Sequence, residues 1–335
     1  MINVTYIHHS GFAVETDKNV LIFDYYTEGG KIPSLDIEKF NDKNIYFFVS
    51  HCHGDHFDRK IFDYRNNNVK FILSDDVDKK YISDDVIMVT PHCKYNIDDI
   101  SIETLLSNDM GVAFIVNCDN KTIYHSGDLN WWHWNGEPDD WNKSMGEIYK
   151  NEVSLLKGKH IDVAFVPVDP RLEENYILAI DYIMKNVDID YVLPMHFWGD
   201  FGVYDRLVSN EKSNSYRDKI IKISHTMENF KIEWEEYIMI KLIASDMDGT
   251  LLDDNKKIHE RNINAIKKAI EKGILFVPAT GRTNSTVPED IFKNFDVRYT
   301  LSSNGAAVYD RVENKFIYKN CMSNDIVIGL MDYLK

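Results

Sequence analysis

The chain is 335 residues long and carries 38 Lys and Arg against 54 Asp and Glu, which gives a formal net charge of -16. Hydrophobic residues make up 44% of it and aromatic residues 13%, a composition that excludes a disordered or fibrous chain. The length favours two domains, at about 100–200 residues per domain. The acidic balance disfavours a nucleic-acid partner, because a phosphate backbone would be repelled.

Runs of β-branched and aromatic residues predict a strand-rich first half, followed by mixed helices and strands. Predicted strands cover residues 3–7, 20–23, 45–49, 70–73, 100–106, 112–116, 122–124, 162–168 and 191–195. Helical patterns cover residues 144–156, 173–185 and 204–210. This order favours an α/β fold in which helices cover sheets.

A new series of predicted strands and helices begins near residue 238. Residues 238–244 form an apolar run typical of a new strand, and a helical pattern follows at about 259–272. The charge changes at the same place, because residues 1–238 carry 24 basic and 41 acidic side chains and residues 239–335 carry 14 and 13. We therefore predict two domains, residues 1–237 and residues 238–335.

The four cysteines predict neither a disulfide framework nor a thiolate zinc site, because they are widely spaced and form no CxxC motif. They are Cys52, Cys93, Cys118 and Cys321. The N-terminus lacks the basic and apolar regions of a secretion signal, and no apolar run approaches the ~18 residues of a membrane span. We expect reduced thiols, a cytoplasmic location and no membrane partner.

Three of the twelve histidines fall in one short loop directly after the strand predicted at 45–49. The loop reads Ser-His-Cys-His-Gly-Asp-His over residues 50–56. In such a loop His51 and His53 can converge on one ion while Asp55 and His56 turn toward a second. Imidazole and carboxylate both suit zinc or iron, so the spacing predicts a metal site.

This loop is one of four motifs, in the expected order, by which the sequence resembles the metallo-β-lactamase superfamily of metal-dependent hydrolases. The others are a strand ending in Asp24, Ser-Gly-Asp at 126–128 and Pro-Met-His at 194–196. The resemblance covers about residues 1–237. It implies an αββα sandwich with the metal site at one edge of the sheets.

The resemblance also implies a role for each matching residue. His51 and His53 would serve a first metal site, Asp55, His56 and His196 would serve a second, and Asp128 would bridge the two. Asp24 would lie behind the ligands and orient their loop, with a simple turn cap as the alternative. We expect one or two divalent ions, zinc first, with manganese or iron as alternatives.

The sequence departs from the family pattern at one ligand. The family supplies a further histidine just before the strand that precedes Ser-Gly-Asp, whereas this stretch reads Leu-Ser-Asn-Asp-Met-Gly-Val over residues 106–112. We favour Asp109 as the replacement, because carboxylates ligate zinc. A weak or empty first site is the alternative, and His92 and His125 are other candidate donors.

The metal centre predicts hydrolysis by a metal-bound hydroxide, with Asp55 accepting the proton of the attacking water. Trp131, Trp132 and Trp198 flank candidate ligands and predict an apolar or sugar-stacking wall, with packing beneath a loop as the alternative. The hairpin at residues 6–12 is similar to that of ascorbate-phosphate lactonase-like hydrolases. We expect a small ester, lactone or phosphorylated metabolite as substrate, and leave a homo-oligomer open.

A second motif follows the new strand. Residues 246–250 read Asp-Met-Asp-Gly-Thr, and Thr280 lies in Pro-Ala-Thr-Gly-Arg at 278–282. These motifs resemble the haloacid dehalogenase-like phosphatases of the sugar-phosphatase type. The resemblance implies a partial doubly wound, Rossmann-like α/β segment in which Asp246 attacks phosphorus, Asp248 is the acid/base, Thr280 binds the phosphoryl group and Mg²⁺ offsets the charge.

That family also needs a later lysine and a later acidic pair, and neither motif occurs before Lys335. We therefore expect a truncated domain that is inactive by itself. Two alternatives to the metal-dependent hydrolase remain open. One is a Mg²⁺-dependent phosphatase, if the C-terminal domain is completed, and the other is a non-catalytic metal-binding domain.

Overall fold

The computed structural model describes residues 1–234, 240–320 and 322–335. The chain separates into two compact units, Met1–Trp234 and Glu235–Lys335. The boundary predicted between residues 237 and 238 lies outside the described residues, as does Cys321. Among the described residues, no helix combines the length and the apolar character needed to cross a membrane.

Two β-sheets form the centre of the first unit. Its strands are β1 (Ile2–His8), β2 (Gly11–Glu15), β3 (Asn19–Phe23), β4 (Asn44–Val49), β5 (Val69–Ser74), β6 (Val86–Val89), β7 (Lys94–Ile97), β8 (Ile100–Leu106), β9 (Val112–Cys118), β10 (Lys121–His125), β11 (His160–Pro167), β12 (Asp188–Met195) and β13 (Glu228–Ile232). The strand orders are β13-β1-β2-β3-β4-β5-β6 and β12-β11-β10-β9-β8-β7. Every strand predicted in this unit is present, whereas the short strands β2, β6, β7 and β13 were not predicted.

Both sheets mix antiparallel and parallel pairs, and the parallel pairs are the ones that matter for the site. In the first sheet β3, β4, β5 and β6 run parallel, and in the second sheet β10, β11 and β12 do. The carboxyl ends of neighbouring parallel strands meet at the same edge of a sheet. The loops that leave β3 and β4 therefore begin side by side in the first sheet, as do those that leave β10, β11 and β12 in the second.

Helices cover the outer faces of the two sheets. The α-helices are α1 (Asp139–Ser154), α2 (Leu178–Asn186) and α3 (Val203–Ser209). The 3-10 helices are Glu28–Gly30, Ile37–Phe40, Arg59–Tyr64, Lys79–Tyr81, Pro170–Ile177, Glu211–Ser215 and Arg217–Lys219. The helix predicted over residues 173–185 is thus split, because Glu173 takes a non-helical backbone (φ 53°, ψ -124°) and α2 begins only at Leu178.

The main core lies between the sheets. Phe12 of β2 stacks on Phe165 of β11 at 4.2 Å, and Phe48 meets Phe114 edge-on at 5.2 Å. A second apolar cluster lies on the other face of the first sheet, where short 3-10 helices rather than α-helices contribute residues such as Ile61. The predicted αββα sandwich is confirmed, with 3-10 turns on one side.

The second unit is a five-stranded sheet with helices. Its elements are β14 (Leu242–Asp246), α4 (Glu260–Glu271), β15 (Leu275–Ala279), the 3-10 helix Asn284–Thr286, α5 (Glu289–Asn294), β16 (Tyr299–Ser302), β17 (Ala307–Asp310), β18 (Lys315–Lys319) and α6 (Asn324–Tyr333). Strands β14, β15 and β16 are parallel, and β16, β17 and β18 form an antiparallel meander. The parallel strands and helices agree with the predicted partial doubly wound segment.

Candidate metal centre

The histidines and carboxylates of the first unit converge at the carboxyl ends of its parallel strands. The loop after β4 carries His51, His53, Asp55 and His56, and the loops after β10 and β12 carry Asp128 and His196. Three nearby residues that are not glycine have left-handed backbones, with φ values of 56° at His9, 41° at Asp24 and 62° at His196. Backbone strain of this kind concentrates at functional sites.

One group of possible ligands consists of His51, His53, Asp109 and Asp128, whose donor atoms all lie within 4.8 Å of one another. His51 Nε2 is 3.6 Å from Asp128 Oδ2, and His53 Nδ1 is 3.5 Å from Asp109 Oδ2. The structure therefore brings Asp109 to the position for which the sequence supplies no histidine.

Gly111 makes this approach of the Asp109 loop possible. Its backbone is left-handed (φ 70°), and a Cβ added there would lie 2.1 Å from the Ser50 carbonyl oxygen and 2.7 Å from the His51 Cβ. Only glycine fits such a contact without displacement of the backbone. The Ser50 carbonyl also accepts a hydrogen bond from Val112 N at 2.9 Å, which fixes the two loops together.

The two alternative donors are engaged elsewhere. His92 Nε2 lies 2.9 Å from Glu152 Oε2, on another part of the surface. The buried His125 ring is held by the Ser10 carbonyl at 2.8 Å and by Gly127 N at 3.1 Å. Neither belongs to a ligand group among the described residues.

The second group of possible ligands consists of His9, Asp55, His56 and His196. His56 Nε2 and His196 Nε2 lie 3.2 and 3.4 Å from Asp128 Oδ1, whereas the other oxygen of Asp128 faces His51. The Asp128 carboxylate thus lies between the two groups, with one oxygen toward each, which is the arrangement of a bridging ligand.

Sequence reasoning missed His9. Its Nε2 lies 3.3 Å from Asp55 Oδ2, and its ring centroid is 4.2 Å from that of His196. It lies in the turn between β1 and β2, more than forty residues before the histidine-rich loop. The signal available in the sequence was the pair of adjacent histidines before Ser10 and Gly11, which indicated a hairpin but no ligand.

Buried carboxylates behind the ligands orient the histidine rings. Asp24 accepts hydrogen bonds from Ser50 N at 2.8 Å, Ser50 Oγ at 2.7 Å and His56 Nδ1 at 2.7 Å. Asp169, a second residue that sequence reasoning missed, accepts from His196 Nδ1 at 3.0 Å. A carboxylate can only accept here, so Nδ1 carries the hydrogen of each ring and Nε2 is left for a ligand role.

The site's buried polar atoms fit a divalent metal ion. His51 Nε2, His56 Nε2, Asp128 Oδ1 and both ring nitrogens of His9 are buried, and among the described residues none has a hydrogen-bond partner. A buried polar group without a partner costs about 1–3 kcal/mol, so several in contact are costly unless a bound group satisfies them. Imidazole nitrogen with carboxylate oxygen is a donor set that suits zinc, iron or manganese.

Burial and the neighbouring carboxylates shift the pKa values of the site's histidines in opposite directions. Burial lowers the pKa of His9 to about 4 and also lowers that of His51, so both rings are neutral at pH 7, the form that binds metals. Burial disfavours a charged His196, but Asp128 and Asp169 outweigh burial and raise the pKa of this ring to about 10. The same carboxylates favour a positive charge beside the ring, and a metal ion bound at Nε2 would take the place of the proton there.

A cavity of about 380 Å³ opens onto both ligand groups. Besides the ligands, its wall consists of Trp132, Trp134, Trp141, Met145, Arg171 and Trp198. Trp132 and Trp198 are therefore at the predicted wall, but Trp131 does not line this cavity. The Trp131 ring packs instead against Gly146 of α1, with Lys150 Nζ 3.9 Å from its centroid.

The phosphatase-like residues of the second unit lie at the carboxyl ends of β14 and β15. Asp246 Oδ2 accepts a hydrogen bond from Thr250 Oγ1 at 3.0 Å. The Asp248 carboxylate pairs with Arg282 at 2.7 Å and with Lys256 at 2.9 Å. Thr280 Oγ1 accepts from the Arg282 backbone at 3.1 Å. Arg282 therefore links Asp248 to the Thr280 loop, a contact that sequence reasoning missed.

Comparison with known proteins separates the two units. Residues 243–335 match the family model of the haloacid dehalogenase-like hydrolases. Over 87 residues the chain is 39% identical to the 5-amino-6-(5-phospho-D-ribitylamino)uracil phosphatase YcsE of Bacillus subtilis. The aligned segment covers 25% of this chain and 35% of the relative. The chain thus spans about a third of the length of the curated phosphatases that it matches.

The first unit matches a different group of proteins. Over 206 residues the chain is 27% identical to the UPF0173 metal-dependent hydrolase of Korarchaeum cryptofilum. The aligned segment covers 59% of this chain and 83% of the relative. The solved metallo hydrolase Igni18 of Ignicoccus hospitalis superimposes with a TM-score of 0.50 at 18% identity, over 69% of this chain and 99% of that one. Both units resemble hydrolases. The two resemblances predicted from the motifs are confirmed.

Proposed function

We propose that the first unit is a metal-dependent hydrolase that acts on a small ester, lactone or phosphorylated metabolite. The observation that carries this proposal is the pair of ligand groups with the Asp128 carboxylate between them, which contain buried ring nitrogens with no hydrogen-bond partner among the described residues. The likeness to a metal-dependent hydrolase over 83% of that relative's length supports the same reading.

The chain's own residues define how metal ions would be held. His51, His53, Asp109 and Asp128 would bind one ion, and His9, Asp55, His56 and His196 would bind another, with zinc as the first candidate and manganese or iron as alternatives. Bound divalent ions supply Lewis acidity, which polarises the attacked group and lowers the pKa of water. Asp24 and Asp169 hold the rings of His56 and His196 throughout.

Asp55 is our candidate proton acceptor. Its side chain is 28% exposed, lines the cavity and lies next to His9. Burial would raise the pKa of its carboxyl, but His9 and His56 outweigh burial and lower the pKa below its ordinary value. The group is therefore ionised at neutral pH, the form that can accept a proton, and its low pKa restricts it to a water that is already acidified at the site.

Metal analysis of the purified full chain tests the proposal. We expect about two equivalents of a transition metal per chain, one for each of the two ligand groups beside Asp128. Loss of metal is expected in His51→Ala and in His196→Ala, but not in His225→Ala, whose exposed ring belongs to neither group. Wild-type protein without tightly bound metal would overturn the proposal.

Activity then separates a hydrolase from a non-catalytic metal-binding domain. The metal-loaded protein is screened against lactones, phosphodiesters and thioesters. Hydrolysis that disappears in the Asp55→Asn variant while metal is retained supports Asp55 as the proton acceptor, whereas loss of about one equivalent of metal identifies it as a ligand instead. Full metal content with no turnover of any compound class would favour the non-catalytic domain instead.

A Mg²⁺-dependent phosphatase is the second candidate, favoured by the match of residues 243–335 to the haloacid dehalogenase-like hydrolases. We infer that this segment does not transfer phosphoryl groups by itself. Both oxygens of Asp248 are engaged by cationic side chains, since Arg282 donates to each of them and Lys256 donates to one. Turnover of p-nitrophenyl phosphate with Mg²⁺ that is abolished by Asp246→Asn would contradict this inference.

A further inference from the structure

Arg171 is the one arginine or lysine among the described residues that line the cavity at the metal centre. It lies in the 3-10 helix that follows β11, and the other ionisable groups of the cavity wall are carboxylates and histidines. A neutral substrate would not explain a single guanidinium in an otherwise acidic and aromatic cavity, whereas a substrate with a negative charge would.

Two kinds of contact hold the Arg171 side chain in place. Asp169 accepts from Arg171 Nε at 2.9 Å and also from Nη2. The guanidinium carbon lies 4.6 Å from the centroid of Trp198 and 5.5 Å from that of Trp134, so aromatic rings pack against the group. The side chain is thus preorganised although it is 47% exposed.

This arrangement leaves donors free. The contacts with Asp169 use Nε and Nη2, and Nη1 donates no hydrogen bond to any residue that the structure describes. Guanidinium groups bind carboxylate and phosphate oxygens through paired N–H donors. One N–H of Nη1 and the second N–H of Nη2 therefore form a parallel pair of donors that no other side chain of the described residues occupies.

The same arginine is linked to the metal centre. The Asp169 carboxylate that binds Arg171 also accepts from His196 Nδ1 at 3.0 Å. Asp169 would thus be the side chain that links an anion-binding Arg171 to the candidate metal ligand His196. Trp132 and Trp134, which stack in parallel with centroids 6.0 Å apart, form the cavity wall beside it.

We infer that Arg171 binds an oxyanionic group of the substrate, a carboxylate or a phosphate, while the bond to be cleaved lies at the metal centre. The substrate class is then a small anionic ester or lactone with an apolar body that packs against tryptophan. This inference rests on the proposed function, because it concerns the same cavity, and it makes Arg171 a binding residue.

Binding of three probes to the full chain tests the inference. Phenyl phosphate, phenylacetate and neutral benzyl alcohol are titrated while tryptophan fluorescence is recorded, since four of the six tryptophans line the cavity. Arg171→Gln should weaken binding of at least one anion by about ten- to a hundredfold, the usual effect of a charged hydrogen bond, and should leave benzyl alcohol unchanged. Loss for phenyl phosphate alone identifies phosphate as the anion, and loss for phenylacetate alone identifies carboxylate.

Arg206→Gln is the matched control. Arg206 is also 47% exposed and also pairs with an aspartate, at 2.6 Å from Asp200, but it does not line the cavity. Its replacement should change none of the three affinities. Metal content is measured for each protein, and the titrations are repeated after chelation, so that a change in metal occupancy cannot produce the difference.

Two results would overturn the inference. One is wild-type protein that binds neither anion more tightly than benzyl alcohol in either form. The other is an anion preference that Arg171→Gln leaves intact, with or without metal. Wild-type protein without metal would instead defeat the proposed function, and the comparison of the chelated proteins would still decide the role of Arg171.

Discussion

At the scale of single residues, Asp128 is the centre of the site. Its two oxygens face different ligand groups, at 3.6 Å from His51 Nε2 and 3.2 Å from His56 Nε2. Burial would raise the pKa of this carboxyl, but His56 and His196 outweigh burial and lower the pKa well below its ordinary value. Asp128 is thus a permanent anion between several imidazoles.

Replacement of Asp128 should therefore affect both metal positions at once. We expect Asp128→Asn to lower the metal content by more than one equivalent, because the amide brings no charge to either group. Mass spectrometry of metals in the purified protein measures this. Asp310→Asn is the control, since Asp310 is also buried but pairs with Arg298 in the second unit and belongs to no ligand group among the described residues. Equal losses in both variants would contradict the bridging role.

Replacement of Asp109 should affect only one position. We expect Asp109→Ala to lose about one equivalent of metal and to keep the ion held by the histidine-rich second group, because Asp109 contributes to the first group alone. Asp200→Ala is the control, as the Asp200 side chain is equally exposed at 42%. Unchanged metal content in Asp109→Ala would remove this residue from the set of ligands.

The residues that the sequence could and could not predict differ in their distance along the chain. His51, His53, Asp55 and His56 are neighbours, so their spacing alone indicated a site. His9 and Asp169 lie far from that loop along the chain. They reach it only because β1 shares a sheet with β4 and because the sheet that contains β11 packs against it. Spacing carries no information on such long-range contacts.

At the scale of elements, the parallel strands explain why so many ligand loops meet. β3 and β4 pair at Phe23 and Phe48, and β11 and β12 pair at Pro167 and Met195, immediately before the residues of the site. The strands themselves were predictable from their apolar runs. The split of the predicted helix over 173–185 was not, because the left-handed backbone at Glu173 has no counterpart in the helical pattern.

The loop between β8 and β9 depends on one glycine. We expect Gly111→Ala to lower the free energy of unfolding by about 1–3 kcal/mol, because a Cβ would collide with the Ser50 carbonyl and the backbone is left-handed. Metal of the first group should be lost as well. Gly136→Ala is the control, since nothing lies within 4 Å of a Cβ there. Urea denaturation of the two variants provides the measurement, and equal stability would contradict this account.

At the scale of the whole molecule, the two units differ in whether a bound metal ion would stabilise their folded state. All six tryptophans lie in residues 1–234, so tryptophan fluorescence follows the unfolding of the first unit alone. The ligand groups also lie there, whereas the second unit contains none among its described residues. Fluorescence therefore reports on the first unit, whereas circular dichroism reports on the helices and strands of both units.

Removal of metal should destabilise the first unit selectively. An ion present at a hundred times its dissociation constant stabilises the folded state by about 2.7 kcal/mol, and chelation removes that contribution. We expect the midpoint of the fluorescence melt to fall by several degrees after treatment with EDTA and to recover with zinc. An unchanged midpoint would mean that no ion binds the folded unit tightly.

The last strand of the second unit has a consequence for the solubility of the chain. β18 is an edge strand of its sheet within the described residues, and it exposes Phe316, Ile317 and Tyr318 between Lys315 and Lys319. Lysines at an exposed edge oppose pairing with a second copy, and this repulsion is screened when the Debye length falls from about 10 Å at 0.1 M salt to about 3 Å at 1 M. We expect light scattering to detect reversible self-association in concentrated salt, and Ile317→Lys to suppress it, whereas salt-independent scattering would contradict this role of the lysines.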